Sequence, residues 1–153
     1  MSERYFNPFQ GIDVNIPVDF HEDVSRFSQR EGKPIIDHSP FPRMVDMWFL
    51  AMCVAAAEKL PPADLTKCET RKIIDGNIFS SDPWRVQMLM LVAITQSGDI
   101  QIVSEPRKMM TIANGLAIAG LPRLIEMIKS NGGEPIWNIS EAIESLIKKS
   151  QAA

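Results

Sequence analysis

The side chain best placed for chemistry is that of Asp46, the single charged residue in an otherwise apolar run from Met44 to Ala57. A carboxylate in such surroundings must be hydrogen-bonded or paired with a cation, or it takes up a proton. Asp46 lies in the first turn of a predicted helix, where negative charge is favourable, and Arg43 or Arg85 could supply the counter-charge. We interpret Asp46 as structural, because the sequence places no second carboxylate to form an acid–base pair with it. A small hydrolase or nuclease that uses Asp46 is the enzymatic alternative.

Metal binding and nucleophilic catalysis would depend on two histidines and two cysteines, His21, His38, Cys53 and Cys68. No pair of them has the C-x2-C or H-x3-H spacing with which one loop or helical turn supplies two zinc ligands. Neither cysteine has the positively charged, helix-starting surroundings of a reactive thiolate. We therefore expect no metal and no other cofactor, and we interpret Cys53 as a small apolar core residue.

Two doublets of basic residues, Arg71–Lys72 and Arg107–Lys108, are candidates for contacts with nucleic acid. The chain as a whole has 16 Lys and Arg against 19 Asp and Glu and a net charge of −3. That charge argues against a protein whose main role is to coat nucleic acid. No aromatic residues interleave with the doublets as they would in a base-stacking surface. We favour ordinary solvated charge, with a modest DNA-binding face formed by these four residues as the alternative.

The elements that must position these residues are predicted to be helices. A chain of 153 residues, 45% hydrophobic and 23% charged, is long enough to bury a core as a single domain. Helical spacing of apolar residues, N-cap residues and prolines at helix starts predict an all-α bundle of about six helices over residues 18–150. Residues 1–17 mix prolines, asparagines and a glycine with isolated apolar residues, which predicts an irregular N-terminal arm.

Two of the predicted helices, at about 42–60 and 83–97, are apolar on most or all of their faces. A helix of that kind has to be surrounded, so we expect both at the centre of the bundle. They contain Trp48 and Trp84, which we expect to serve in packing or in interactions. So much apolar helix surface in a short chain predicts that one face is covered by another protein, either larger subunits or a second copy.

The next part of the sequence is harder to assign to single elements. A helix is predicted to begin at Pro106 and a separate helix near Pro122. Asn114 and Gly115 lie inside the first of these, where Asn-Gly costs roughly 1 kcal/mol relative to alanine. Either the helix breaks there or a neighbouring segment approaches its backbone closely. Residues 71–79 are predicted to form either a tight turn between two short extended pieces or a loop tucked into the core.

The sequence also predicts a cellular compartment. The N-terminal residues lack the apolar stretch of a secretory signal. The longest apolar run, 44–57, has 14 residues, whereas a bilayer span needs about 20. Two cysteines are too few for a disulfide framework. We expect a cytoplasmic protein without a membrane segment.

Three segments together resemble a known family. The run Phe41–Ala57 has an aspartate followed by an aromatic and alanine-rich stretch, Trp84–Gly98 is a second apolar helix, and Met110–Leu116 contains an Ala-Asn-Gly segment. In their order and spacing, residues 41–130 resemble small proteins associated with bacterial DNA phosphorothioation (Dnd) defence loci. Leu116 stands where that family usually has a second glycine, and residues 107–110 are basic or methionine where the family is acidic.

The resemblance implies an accessory component of an anti-phage or DNA-modification system, and it brings no established catalytic residues to carry over. Together with the apolar helix surface, it leads to the hypothesis of a non-enzymatic adaptor subunit that acts by protein–protein interaction in a prokaryotic defence complex. A DNA-binding subunit of the same kind of complex is the alternative.

Overall fold

The computed structural model describes residues 6–29 and 38–152, which form five α-helices and a two-stranded antiparallel sheet. The helices are α1 (His21–Phe27), α2 (Met44–Ala57), α3 (Pro83–Ser97), α4 (Pro106–Lys129) and α5 (Pro135–Ala152), and the strands are β1 (Asp13–Pro17) and β2 (Thr70–Asp75). Short 3-10 segments lie at Val18–Phe20, Leu65–Lys67, Gly76–Ser81, Ile100–Ser104 and Ser130–Gly132. The prediction of a mainly helical bundle is confirmed. The prediction of an all-α fold is wrong, because of the sheet.

The N-terminal part of the chain contains β1, the strand that the sequence did not predict. The predicted arm covers residues 1–17; residues 1–5 lie outside the described residues, Phe6 is exposed, and from Asn7 onward the arm is built into the domain. Phe9, Val14 and Ile16 are fully buried, and β1 runs antiparallel to β2 from Asp13 opposite Asp75. The sequence did not show this because β1 is five residues long and its partner follows more than 50 residues later. The extended piece predicted in 71–79 exists, but it pairs with β1 rather than forming a local turn.

The centre of the molecule is the contact between α2 and α4. α2 buries residues on every side, including Trp48 and Met52, as expected for a surrounded helix. α4 lies against it so closely that a Cβ on Gly120 would collide with the carbonyl oxygen of Ala51. A Cβ on Gly115 would lie 2.8 Å from the carbonyl oxygen of Ala63. Of the two alternatives for the Asn-Gly segment, the close approach of a neighbour is therefore confirmed.

α4 is one continuous helix, so the separate helix predicted to begin near Pro122 is wrong. A proline inside a helix costs about 3 kcal/mol, since it removes a hydrogen bond and crowds the carbonyl four residues earlier. Here the flanking residues Leu121 and Leu124 are fully buried. Burial of those two side chains, at about 1.5–3 kcal/mol each, outweighs the proline.

α4 is also the one helix, within the described residues, that is long and apolar enough to cross a membrane by length and composition. In its most apolar 18-residue window, 67% of the residues are buried against the rest of the protein. Packing in the core therefore accounts for this apolar composition.

The second helix expected at the centre, α3, is not surrounded. Val86, Leu89 and Ala93 face the core, but Trp84 and Leu91 are more than half exposed. The prediction that α2 and α3 are the two central helices is therefore wrong for α3. The helix that lies beside α2 at the centre of the molecule is α4. The reason is that α4 has two glycines that allow close contact with α2 and Ala63, whereas α3 has none.

Candidate functional site

The most distinctive surface of the described molecule is a row of apolar side chains on the outer face of α3. Trp84, Met88 and Leu91 are 54%, 37% and 59% exposed. Their spacing of four and then three residues places them on one face of the helix, and the exposed Thr95 continues the row. We call these four residues the α3 stripe. Contiguous exposed apolar patches on a protein surface mark interaction sites far more often than isolated apolar residues do.

The orientation of α3 follows from its ends and its inner face. Pro83 occupies the first turn, where its missing N–H has no helical partner. Gly98 ends the helix with a left-handed φ of 67°, a conformation that glycine adopts without strain. Between these ends, Val86, Leu89 and Ala93 pack into the core. With that face fixed, the α3 stripe has to point away from the domain.

Trp84 is held in place by Arg85 and Phe49. The Trp84 and Phe49 ring centroids lie 5.4 Å apart with the rings at 77°, an edge-to-face contact. The guanidinium carbon of Arg85 lies 4.9 Å from the Trp84 ring centroid and 5.0 Å from that of Phe49. Nε and Nη1 of Arg85 are buried without a hydrogen-bond partner in the described structure. The two ring faces supply cation–π contacts to this charge instead.

Asp46 anchors the same cluster from α2. Its Oδ1 accepts hydrogen bonds from Nη2 of Arg85 at 2.7 Å and from Nη2 of Arg43 at 3.0 Å. Its Oδ2 accepts from the backbone N–H of Arg43 at 2.9 Å, which caps the helix. Both ion pairs that the sequence left as alternatives are thus formed. Asp46 is tied to two guanidinium groups, as the structural interpretation expected.

The protonation state of Asp46 follows from these contacts. Burial alone would raise its pKa, but the hydrogen bonds and charges of Arg43 and Arg85 outweigh burial and hold the pKa below its ordinary value of 3.8. The carboxylate is therefore ionised at neutral pH. An acid that is ionised and fully hydrogen-bonded at neutral pH is poorly suited to donate a proton.

Asn114 connects three elements inside the protein. Its Oδ1 accepts from Nε1 of Trp48 at 3.1 Å and from the backbone N–H of Asn15 at 2.9 Å. Its Nδ2 donates to the backbone carbonyl of Asp13 at 3.2 Å. Neighbouring Gly115 accepts at its carbonyl from the N–H of Ala63 at 2.9 Å. Trp48, Asn114 and Gly115 therefore hold α2, α4 and β1 together.

The basic doublets are partly neutralised by nearby carboxylates. Nζ of Lys72 lies 3.0 Å from Oδ1 of Asp13, and Nζ of Lys108 lies 2.8 Å from Oε1 of Glu105. Arg107 lines a cavity of about 360 Å³ beside β1, together with Asp13. With both lysines paired, the positive charge offered to a phosphate backbone is smaller than the sequence alone suggests.

Nothing in the described part of the chain groups three or more His, Cys, Asp or Glu side chains around a possible metal position. Cys53 lies on α2 and is partly buried, and burial raises the pKa of its thiol more than the charge of Arg85 lowers it. A thiol with a raised pKa is mostly protonated at neutral pH and is a weak nucleophile. The interpretation of Cys53 as a core residue is consistent with these surroundings.

An apolar cleft lies between α2 and α5. Leu50 and Cys53 on α2 and Ile143 and Leu146 on α5 line a cleft of about 250 Å³. That volume is below the roughly 300–1,000 Å³ typical of small-molecule sites. The cleft is lined by helices of this chain on both sides.

Of the four residues of the α3 stripe, only Trp84 was predicted from the sequence as a packing or interaction residue. The signal was present: Trp84, Met88, Leu91 and Thr95 follow a 4-3-4 spacing, while Val86, Leu89 and Ala93 follow a 3-4 spacing on the opposite side. A helix with apolar rows on opposite sides has two contact faces, and the apolar Met90, Val92 and Ile94 between these rows made α3 look uniform. Counting α3 as apolar all round concealed that division.

Comparison of the sequence and the fold with known proteins finds no matching family model, no matching curated protein and no matching solved structure.

Proposed function

We propose that this protein is a non-enzymatic accessory subunit that acts by protein–protein interaction. The observation that carries the proposal is the α3 stripe, an apolar row with Leu91 59% and Trp84 54% exposed. Such a row costs free energy in water, at about 25 cal/mol per Å² of apolar surface. A partner that covers it recovers that free energy.

The cluster beneath the stripe supports a binding role. Arg85, Asp46 and Phe49 fix the position of Trp84 before any partner arrives. A preformed aromatic anchor loses little conformational entropy when a partner binds, and tryptophan is among the residues that contribute most to interface affinity. The same cluster commits Asp46 to ion pairs, which argues for binding rather than acid–base catalysis by this residue.

For the biological setting, we propose a prokaryotic anti-phage or DNA-modification defence complex in the cytoplasm. The support is the resemblance of residues 41–130 to the small proteins of DNA phosphorothioation loci. A larger subunit of such a complex, or a second copy of the chain, is the partner class this predicts.

The test is co-expression of the tagged chain with the products of its neighbouring genes, followed by co-purification. We expect one of those products, or a second copy of the chain that carries a different tag, to co-purify in stoichiometric amount, and Leu91→Glu to abolish that recovery because a charge then sits in the stripe. Ser145→Glu, an exposed position on α5, is the matched control and should leave recovery unchanged. Unaltered recovery with Leu91→Glu would remove the stripe from the proposal.

The DNA-binding alternative has its own readout in the same samples. Duplex binding that weakens steeply with salt, and that is lost in Arg71→Glu and Arg107→Glu, would identify the basic doublets as the working surface instead. We expect binding at physiological salt to be weak and insensitive to both substitutions.

A further inference from the structure

The α3 stripe has a feature that narrows the choice of partner: it is self-complementary. Suppose that two copies of α3 lie antiparallel, related by a two-fold axis at the level between Leu89 and Met90. Met88 of each copy then lies opposite Leu91 of the other, and Trp84 lies opposite Thr95. Two medium-sized apolar side chains meet at the centre, and the largest side chain meets the smallest at each end.

The charges near the stripe are compatible with the same arrangement. Arg85 is the single charged residue from Pro83 to Gly98, and its guanidinium is already paired with Asp46. Under the two-fold, Arg85 lies at the level of Ile94 of the other copy, and Asp82 at the level of Ser97. No like charges are opposed, and the uncharged stripe offers nothing to attract a strongly charged partner.

The spacing also fits helix pairing. Residues 84, 88, 91 and 95 alternate steps of four and three, as do the inward positions of paired helices. A two-fold interface uses the same patch on both copies, so it requires a patch that complements itself. The α3 stripe meets that requirement by residue size, by charge and by spacing.

We infer that the α3 stripe closes on the same surface of a second copy of this chain, giving an antiparallel homodimer with a two-fold axis between Leu89 and Met90. This inference rests on the proposed function, because it names the partner of the proposed interaction surface. Three large apolar residues cover less than the roughly 800 Å² per partner of a standard interface. The dimer is therefore expected to dissociate on dilution.

The first experiment is sedimentation of the full chain over a concentration series from about 1 μM to about 500 μM, the range that reports dissociation constants of weak complexes. The mass should rise from that of one chain towards twice that value. Leu91→Glu and Met88→Lys should each hold the mass at one chain, because each places a charge opposite an apolar side chain of the copy. Ser145→Glu should dimerise like the unmodified chain.

The second experiment tests the direction of pairing. When the Met88→Lys chain is mixed with the Leu91→Glu chain, the antiparallel arrangement puts the new lysine opposite the new glutamate and leaves one Met88–Leu91 contact intact. The mixture should then form heterodimers although neither chain dimerises alone. In a parallel pair, 88 would face 88 and 91 would face 91, and mixing would restore nothing.

Several results would overturn the inference: one-chain mass at every concentration, a dimer that tolerates both charged substitutions, or a mixture that stays dissociated. Circular dichroism checks that each variant is folded; where one is not, Leu91→Gln or Met88→Gln replaces it. Suppose that the chain is monomeric at every concentration, but that its Leu91→Glu variant no longer recovers a neighbouring gene product. That result would refute the homodimer and leave the proposed function standing. A monomeric chain whose Leu91→Glu variant recovers the same products as the unmodified chain would refute both.

Discussion

The contact between α2 and α4 and the outer face of α3 have similar composition and opposite environments. α2 and α4 are in such close contact that Gly120 leaves no room for a methyl group against Ala51. On the outside of the same core, Trp84 and Leu91 of α3 are more than half exposed. Apolar composition therefore does not decide burial. Close approach of backbones does, and it requires small residues at the contact.

The comparison predicts opposite responses to substitution. Changes at the α2–α4 contact should reduce the stability of the single chain. Changes on the α3 stripe should alter association and leave the stability of the single chain nearly constant. The four predictions below test this division, beginning with the largest expected effect.

Gly120→Ala should be the most damaging. In an exposed helix, alanine for glycine stabilises by about 1 kcal/mol. Here the added Cβ would collide with the backbone carbonyl oxygen of Ala51, which cannot move without displacing α2. We expect the free energy of unfolding, measured by urea denaturation, to fall by at least about 3 kcal/mol. Thr111→Ala, exposed on the same helix, should change it by less than about 0.5 kcal/mol. A stabilised Gly120→Ala would show that the two helices are not in close contact.

Asn114→Ala should destabilise by about 2–3 kcal/mol, since it leaves the Trp48 indole N–H and the Asn15 backbone N–H buried without acceptors. The measurement is again urea denaturation, now with Trp48→Phe and the double variant. We expect the effects of Asn114→Ala and Trp48→Phe to be coupled by at least about 0.5 kcal/mol. Strict additivity would contradict the hydrogen bond between the two side chains.

Asp46→Asn should cost about 2 kcal/mol at pH 7, because hydrogen bonds to a charged group are lost and Arg85 loses its counter-charge. The pKa of Asp46 lies below its ordinary value of 3.8 in the folded protein. The carboxylate therefore stabilises the fold fully above that ordinary value, and the contribution disappears as the pH falls through the lowered pKa.

The difference in unfolding free energy between the unmodified chain and Asp46→Asn should accordingly be constant from pH 7 down to about pH 5 and shrink below about pH 4. Denaturation series at pH 7, 5 and 3 measure it. A difference that grows on acidification would reverse the sign of the pKa shift and contradict the ion pairs with Arg43 and Arg85.

Leu91→Ala should have the smallest effect on the single chain, below about 1 kcal/mol, because the side chain is 59% exposed. Leu121→Ala is the matched comparison: the same chemical change at a fully buried position of α4 should cost about 2–5 kcal/mol. Thermal denaturation at low protein concentration separates the two. Equal losses at both positions would mean that the α3 stripe is part of the core.

Individual residues show which features of this fold could be predicted from the sequence. Asp46 was placed correctly beside Arg43 and Arg85, because a lone carboxylate in an apolar run has few ways to remain charged. α2 was placed correctly because it is apolar on every face. The prediction of a helix start at Pro122 was wrong. The free-energy cost of a proline inside a helix can be estimated from the sequence, but the compensating burial of Leu121 and Leu124 cannot.

β1 and the α3 stripe show a different kind of miss. The burial of Val14 and Ile16 depends on a strand more than 50 residues away, and such pairing has no local signature. The exposure of Trp84, Met88 and Leu91 depends on how much of α3 the rest of the chain covers. Both are properties of neighbours that the local sequence does not contain.

By itself, the sequence determined the positions of α2 and α3, which helix is most apolar, and that the acid in the apolar run of α2 needs a cation, because these depend on residues within a turn or two of one another. Only the tertiary structure decided that α4 rather than α3 lies against α2, that residues 13–17 form a strand, and that a neutral 4-3-4 row of side chains faces solvent. Those outcomes depend on which surfaces approach closely enough to exclude water, and that is settled by the whole packing of the chain.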